Sequence, residues 1–191
     1  MSPRTPRQLE EIRKVRRQAI MDTALEEFAE HGYESASISM IAKKAGVSKG
    51  LMYNYFESKE ELLSSIMMDG MDEMLGSFDL NRDNVLSRDE FAYFIEETFD
   101  LMNARRNFYK LYFALMMQPS VWKLFESKLP EIIEPIMKIM INYYSKKGVD
   151  NPMLEAALVG AVLDGVGFHF VFNPDLYPLE AMKKLIIERF V

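Results

Sequence analysis

The stretch Ser37-Ile-Ser-Met-Ile-Ala-Lys-Lys-Ala-Gly-Val-Ser-Lys-Gly-Leu-Met-Tyr-Asn-Tyr-Phe56 constrains this chain more than any other part of it. It reads as two short helices joined by a glycine turn. Ser37 is placed to cap the first, which carries Ile38, Ile41, Ala42 and Ala45 inward. Gly46 supplies the turn and Ser48 caps the second helix. Val47, Leu51 or Met52, and Phe56 seat that helix on the first, leaving Lys49, Tyr53 and Asn54 facing outward. This is the layout of a helix-turn-helix, whose second helix enters the major groove with its N-terminal residues at the base edges. Lys49, Leu51, Tyr53 and Asn54 are then the candidate base readers. Lysine donates to guanine O6 and N7, asparagine pairs both ways with adenine, and leucine contacts a thymine methyl. Gly50 lets the helix backbone approach the duplex closely.

A net charge of −6 looks wrong for a nucleic-acid partner until its distribution is considered. Residues 1–60 carry ten Lys+Arg against nine Asp+Glu, and the remainder 13 against 20. The acid therefore belongs to the second part of the chain. Arg4, Arg7, Arg13, Lys14, Arg16 and Arg17 face only Glu10 and Glu11 within the first 17 residues and form a basic arm. Phosphate attraction is local, so such an arm serves a duplex that the acidic body faces away from.

Helical periodicity runs through the whole chain. Ile20, Ala24 and Phe28 mark a helix from about Gln8 to His31, which Gly32 ends as a left-handed cap. Ser58-Lys-Glu-Glu61 is a capping box opening a fourth helix to about Met74, and Ser87-Arg-Asp-Glu90 is a second box ahead of Phe91, Phe94, Ile95 and Phe99. Prolines then divide the chain into helices of about 103–117, 121–145, 153–172 and 179–190. No alternating strand pattern occurs. The expected fold is all-α with about nine helices: a helix-turn-helix domain over 1–57 and a helical bundle over 58–191.

The chain has no cysteine, which excludes disulfides, thiolate catalysis and cysteine-based zinc sites. Its two histidines, His31 and His169, leave little for a transition metal. The longest apolar run, Ala156 to Phe172, is interrupted by Asp164 and several glycines, so no membrane span is expected. No secretory h-region follows the N-terminal arginines. Cytoplasmic residence without a membrane partner is the expectation. No nucleophile and base pair, metal triad or glycine-rich phosphate loop can be assembled, so no enzyme is expected.

Over Ile20 to Leu63 the sequence resembles the tetracycline-repressor (TetR) family of bacterial regulators. The carrying segments are Ile20 to Tyr33, Ile41 to Gly50 and Tyr53 to Leu63. The resemblance implies that Ser37, Ser39, Tyr55 and Lys59 contact phosphates. Leu51 departs from the threonine expected in many relatives, which affects only the contact made there. A small-molecule pocket in the second domain is also implied. The soft and aromatic side chains of that domain suit a hydrophobic or aromatic effector: Met102, Phe108, Tyr109, Tyr112, Phe113, Met116, Trp122, Phe125, Met137, Met140 and Tyr144, with His169 as a polar anchor. They suit an ordinary core as well.

The run ending at Phe172 is apolar nearly all round and needs burial on every side. Packed against the last helix and the same pair from a second copy, it would form an isologous four-helix interface. Ala157, Gly160, Ala161, Asp164, Phe168, Met182, Leu185 and Ile186 are its candidates.

Asp79 to Glu90 fits the twelve-residue calcium-loop spacing. Asp79, Asn81, Asp83 and Ser87 supply oxygens, Val85 a backbone carbonyl and Glu90 a bidentate carboxylate. Asn84 stands where glycine is wanted. An Asp/Asn turn followed by the Ser87 capping box accounts for the same residues without metal. No cofactor is required, and calcium at this loop stays open. Two functions follow. One is a homodimeric regulator, a repressor released from a palindromic double-stranded DNA operator by a small hydrophobic effector. The other is a calcium-responsive helical protein using the Asp79 to Glu90 loop.

Overall fold

A computed structural model describes residues 5–191, so Arg4 of the basic arm lies outside the described residues. Among the described residues the chain is all-α, with ten helices. They are α1 (Pro6–His31), α2 (Ile38–Lys44), α3 (Lys49–Tyr53), α4 (Lys59–Leu75), α5 (Arg88–Ala104), α6 (Arg106–Met116), α7 (Pro119–Phe125), α8 (Leu129–Lys146), α9 (Pro152–Phe172) and α10 (Leu179–Phe190). The tenth helix arises because the expected segment 121–145 is two. Phe125 ends α7 and Pro130, which has no N–H to donate, opens α8 after a short turn. The arm is also more ordered than its charge suggests. Thr5 and Gln8 form a capping box with Pro6 in the first turn, so α1 starts two residues before Gln8. Gly32 has the expected positive φ of 86°, but its ψ of 142° takes it out of the left-handed helical region, and the chain leaves α1 extended.

The chain packs as two compact units. One holds the residues up to Gly70 together with Ala114–Trp122; the other holds Met71–Phe113 and Lys123–Val191. The boundary in α4 thus falls a helix's length beyond Ser58. In the first unit Ile20, Ala24, Leu25 and Phe28 of α1, Ile41, Met52, Phe56 and the Leu62, Leu63, Ile66 stripe of α4 are all buried. Apart from Ala24, each such side chain contributes about 1.5–3 kcal/mol. Lys44 ties α2 to α1 through Glu27 at 2.9 Å and Glu26 at 3.2 Å, which pairs the buried Glu27 carboxylate.

In the second unit a continuous core joins α5, α8, α9 and α10, with Phe91, Ile95, Phe99, Tyr144, Val159, Phe170 and Ile186 among its members. The C-terminus is pinned by Tyr143 Oη and Lys147 Nζ, each 2.9 Å from the Val191 carbonyl, and by Tyr144 Oη at 3.1 Å from the Phe190 carbonyl. Lys183 links α10 to α5 through Asp100 at 2.9 Å.

One expectation needs correction. With 21 residues and a mean hydropathy of 1.5 over its most apolar window, α9 is long and apolar enough to cross a membrane, its aspartate and glycines notwithstanding. Here one side of it is packed: Ala156, Val159, Val166, Gly167, Phe170 and Val171 are buried, and it lies along α8 and against α5 and α10.

Candidate functional site

Two sites emerge, one in each unit. In the first, Ser37 Oγ accepts from the Met40 N–H at 3.2 Å, and Ser48 Oγ from the Leu51 N–H at 3.1 Å, fixing where α2 and α3 begin. Gly46 takes a φ of 68°, the left-handed value the turn between them requires. Met52 is fully buried and Leu51 half-buried, so methionine is the side chain that seats α3. The other face of α3 presents Lys49, Gly50, Tyr53 and Asn54 to solvent, with Tyr53 47% exposed and Asn54 at the C-cap. Four of the sequence candidates are thereby brought together on one exposed face. Ser39 is exposed on α2 and Ser37 beside it is spent in part on capping.

The basic side chains of α1 divide. Arg13 donates to the Asn54 carbonyl at 3.4 Å and stands 5.7 Å from the Tyr55 ring centroid, beside the C-terminal end of α3. Arg17 instead turns inward over Phe56 and reaches Asp69 at 3.5 Å. Lys59, the expected phosphate contact, is also engaged inside the protein. Its ammonium donates to the carbonyls of Tyr33 at 2.9 Å, Ala36 at 3.2 Å and Glu34 at 3.4 Å, and lies 4.4 Å from the centre of the Tyr33 ring. An ammonium has three donors, and these carbonyls use them. Ser58 caps α4 by accepting from the Glu61 N–H at 3.0 Å, but the Glu61 carboxylate reaches the Glu57 N–H, one residue earlier than a capping box requires.

Gln118 was not visible in the sequence pattern. Its Oε1 accepts from the Tyr33 N–H and its Nε2 donates to the Phe28 carbonyl, both at 2.8 Å, so one amide closes the end of α1 from a segment some 85 residues away.

The second site is a cavity of about 420 Å³ among α4, α5, α8 and α9. Met74, Leu75, Phe78, Phe91, Phe94, Thr98, Met102, Ile133, Ile136, Met137 and Met140 line it, with Ala156, Ala157, Val159, Gly160, Ala161, Leu163 and Asp164 from α9. Three of the twelve sequence candidates, Met102, Met137 and Met140, are on this lining. Phe108, Tyr109, Tyr112 and Phe113 form an aromatic cluster elsewhere on α6, where Tyr109 Oη bonds Glu73 at 3.4 Å and Arg105 pairs with the same carboxylate. Tyr144 holds the C-terminus, Phe125 is buried on α7, and Met116 and the 48% exposed Trp122 belong to the first unit. His169 is exposed and stacked on Tyr177 rather than set in the cavity.

The interface candidates also separate. Ala157, Ala161, Asp164 and Leu185 are exposed, and with the exposed Leu154 and Leu158 they leave an apolar stripe on α9 uncovered in the single chain. Gly160, Phe168 and Met182 are half-buried. Ile186, at 2% exposure, points into the chain's own core.

In the Asp79 to Glu90 loop, Asn84 takes a φ of 61°, as the calcium-loop spacing demands at that place. Asp79 accepts from the Asp83 and Asn84 N–H groups at 3.3 and 3.1 Å, and Asp83 from Val85 at 2.8 Å. The Asn81 amide nitrogen bridges Asp83 at 3.2 Å and Glu90 at 3.0 Å, while Ser87 and Glu90 complete their capping box. Among the described residues, the acidic and histidine side chains that converge to ligand distance are Glu27, Glu30 and His31, not the carboxylates of this loop.

Residues 20–66 match the model of bacterial regulatory proteins, tetR family, a span that contains α2, α3 and the glycine turn. The fatty acid metabolism regulator protein of Bacillus subtilis is 26% identical over 181 residues, covering 90% of this chain and 92% of that one. The fold is similar to that of the transcriptional regulator FadR from B. subtilis, solved with stearoyl-CoA, at a TM-score of 0.70 and 24% identity over 91% of this chain and 97% of that one. It is also similar to that of NalD, a repressor from Pseudomonas aeruginosa, at a TM-score of 0.72 and 15% identity over 93% and 95%. These relatives are regulators, and an N-terminal helix-turn-helix joined to a helical C-terminal part is what this chain shares with them. The tetR family of bacterial regulatory proteins is thus the family that this chain matches over its helix-turn-helix segment, residues 20–66, and its fold is that of the similar regulators.

Proposed function

We propose that this chain is a homodimeric repressor that leaves a near-palindromic DNA operator when a small apolar effector enters the cavity of about 420 Å³. The observation that carries the reading is the coexistence of two separate features. An exposed face at α3 matches the chemistry of base reading, and an apolar cavity of ligand size lies in the other compact unit. Lys49, Gly50, Leu51, Tyr53 and Asn54 read bases; Ser37, Ser39 and Tyr55, with Arg13 beside them, hold phosphates. Residues 1–57 act as the DNA-binding domain and 58–191 as the effector and dimerisation domain. The uncovered stripe on α9 and Leu185 of α10 supply the dimer contact. Such a protein works in the cytoplasm with neither membrane nor obligatory cofactor.

The B. subtilis relative solved with stearoyl-CoA supports an effector with a long apolar portion, which the methionine and phenylalanine lining accommodates. Chain paths that cross between the compact units inside α4 and α6 give the effector a covalent route to the head. A ligand that releases DNA must bind the DNA-free state more tightly, and DNA must weaken the ligand by the same factor. Selecting bound duplexes from a random pool, then repeating the binding with a panel of apolar compounds, tests both halves. Failure to enrich a near-palindrome with half-sites about one helical turn apart, or a small multiple of that, would remove the operator reading.

The positive φ of Asn84 favours a second reading, in which Asp79, Asn81, Asp83, Val85, Ser87 and Glu90 take calcium after the Asn81 amide gives way. Calorimetry with millimolar calcium tests it.

A further inference from the structure

The polar groups of the cavity restrict what can fill it. Thr98 and Asp164 are the lining side chains that carry a hydroxyl or a charge; the lining includes no lysine, arginine or histidine. Thr98 is 5% exposed, and its Oγ1 has no hydrogen-bond partner although the residue sits in a helix. A buried hydroxyl left in that state is unusual and points to a group missing from the single chain. Asp164 is engaged in no ion pair or hydrogen bond among the described residues.

Both groups line the cavity, and their offsets from one contact between α5 and α9 relate them. The Met102 side chain rests against Gly167, so close that a Cβ there would meet its sulfur at 2.9 Å. Thr98 is one helical turn before Met102, and Asp164 one turn before that glycine. Phe113 reaches the same contact and packs edge-on against Phe168 at 6.0 Å. The rest of the lining is thioether, phenylalanine and aliphatic carbon. An anionic head placed here would meet an unpaired carboxylate and no cation, whereas a cationic one would meet a carboxylate partner, a hydroxyl acceptor and polarisable walls.

Resting on the effector reading above, we propose that the cavity selects an apolar molecule bearing one protonated amine, whose nitrogen pairs with Asp164 and donates to Thr98 Oγ1. Burial among these apolar side chains holds the Asp164 carboxyl above the usual carboxylate range, although part of the side chain still meets water at the cavity mouth. A bound ammonium restores its charged form. The Tyr112 phenol, raised first by its own burial and then by the Asp164 charge, places no compensating cation there.

The test uses the full chain and four ligands of equal tail: decylamine, decyltrimethylammonium, decanol and decanoate, each titrated calorimetrically below its micelle concentration. Decylamine should bind about tenfold or more tighter than decanoate, the scale of one charge-assisted hydrogen bond. Asp164→Asn should erase that preference while leaving decanol unchanged. Thr98→Val should weaken decylamine and spare decyltrimethylammonium, which has no N–H to donate.

Decanoate or stearoyl-CoA binding as tightly as decylamine would overturn the proposal and leave the effector reading standing. So would an Asp164→Asn protein that keeps the preference but shifts the monomer–dimer equilibrium in sedimentation, because the carboxylate would then serve the subunit contact. No binding by any of the four ligands or by stearoyl-CoA would overturn the effector reading itself.

Discussion

The polar groups that close the end of α1 and those that line the cavity differ in how far they are satisfied. In the head, the Lys59 ammonium satisfies three backbone carbonyls, and one amide, Gln118, satisfies a carbonyl and an N–H. The Tyr33 hydroxyl, close to the Glu60 carboxylate, is the exception. At the cavity, the buried Thr98 hydroxyl has no partner, and Asp164, which still meets water, has no ion pair among the described residues. A saturated network holds a surface in one arrangement, as a base-reading helix requires. An unsaturated one leaves free energy for a ligand to recover.

The largest expected effect breaks or upholds the head's side of this contrast. Lys59→Ala should lower stability in urea or thermal unfolding by roughly 1.5–3 kcal/mol, the range for hydrogen bonds to a charged group. An unchanged unfolding curve, together with a salt slope of DNA binding reduced by about 1, would return Lys59 to the phosphate role that its place near the start of α4 first suggests. Next in size, Lys49→Ala and Asn54→Ala should each cost roughly 1–3 kcal/mol at particular base pairs and little on random duplex. Equal losses on both DNAs, measured by competition binding, would remove them as base readers.

Thr98→Val sharpens the cavity's side. Replacing an unpartnered buried hydroxyl with a methyl should raise the ligand-free protein's stability by about 1 kcal/mol. A destabilised variant would mean that the hydroxyl is already satisfied and that the contrast is false. The smallest effect concerns the loop before α5. Glutamine still serves a capping box, so Glu90→Gln should shift stability by only a few tenths of a kcal/mol without calcium. Millimolar calcium that stabilises the wild type and not this variant would add a cation to the fold.

Local signals in the sequence were enough for the caps at Ser37, Ser48 and Ser87, the turn at Gly46 and the seating of α3 by Phe56. Each depends on residues within one or two turns of each other. The Thr5–Gln8 box was equally local and gives α1 its earlier start. Lys59 could not be placed from its own neighbourhood, because the carbonyls it satisfies are brought to it by the turn after α1. The cavity was legible only as a surplus of methionine and aromatic side chains. Periodicity tells which stripe of a helix is apolar but not whether a core or a void faces it, so Met102, Met137 and Met140 were found while Phe78, Phe91 and Thr98 were not. Asp164, conspicuous in an apolar run, suggests a subunit contact from sequence, and it also lines the cavity, since the cavity mouth and the uncovered face of α9 share that edge of the helix.

Gln118 has a consequence for how such proteins can be cut and recombined. The head's last hydrogen bonds come from Ala114–Trp122, which packs with the residues up to Gly70 although more than 40 residues of another unit intervene in the chain. The compact unit that carries α3 is therefore discontinuous along the chain. A chimera joined anywhere in α4 inherits the reading helix but leaves behind the amide that closes α1, and it must bring a matching side chain from its new partner. Exchange of effector units among such regulators is thus constrained by one short segment after α6 as well as by the visible junction.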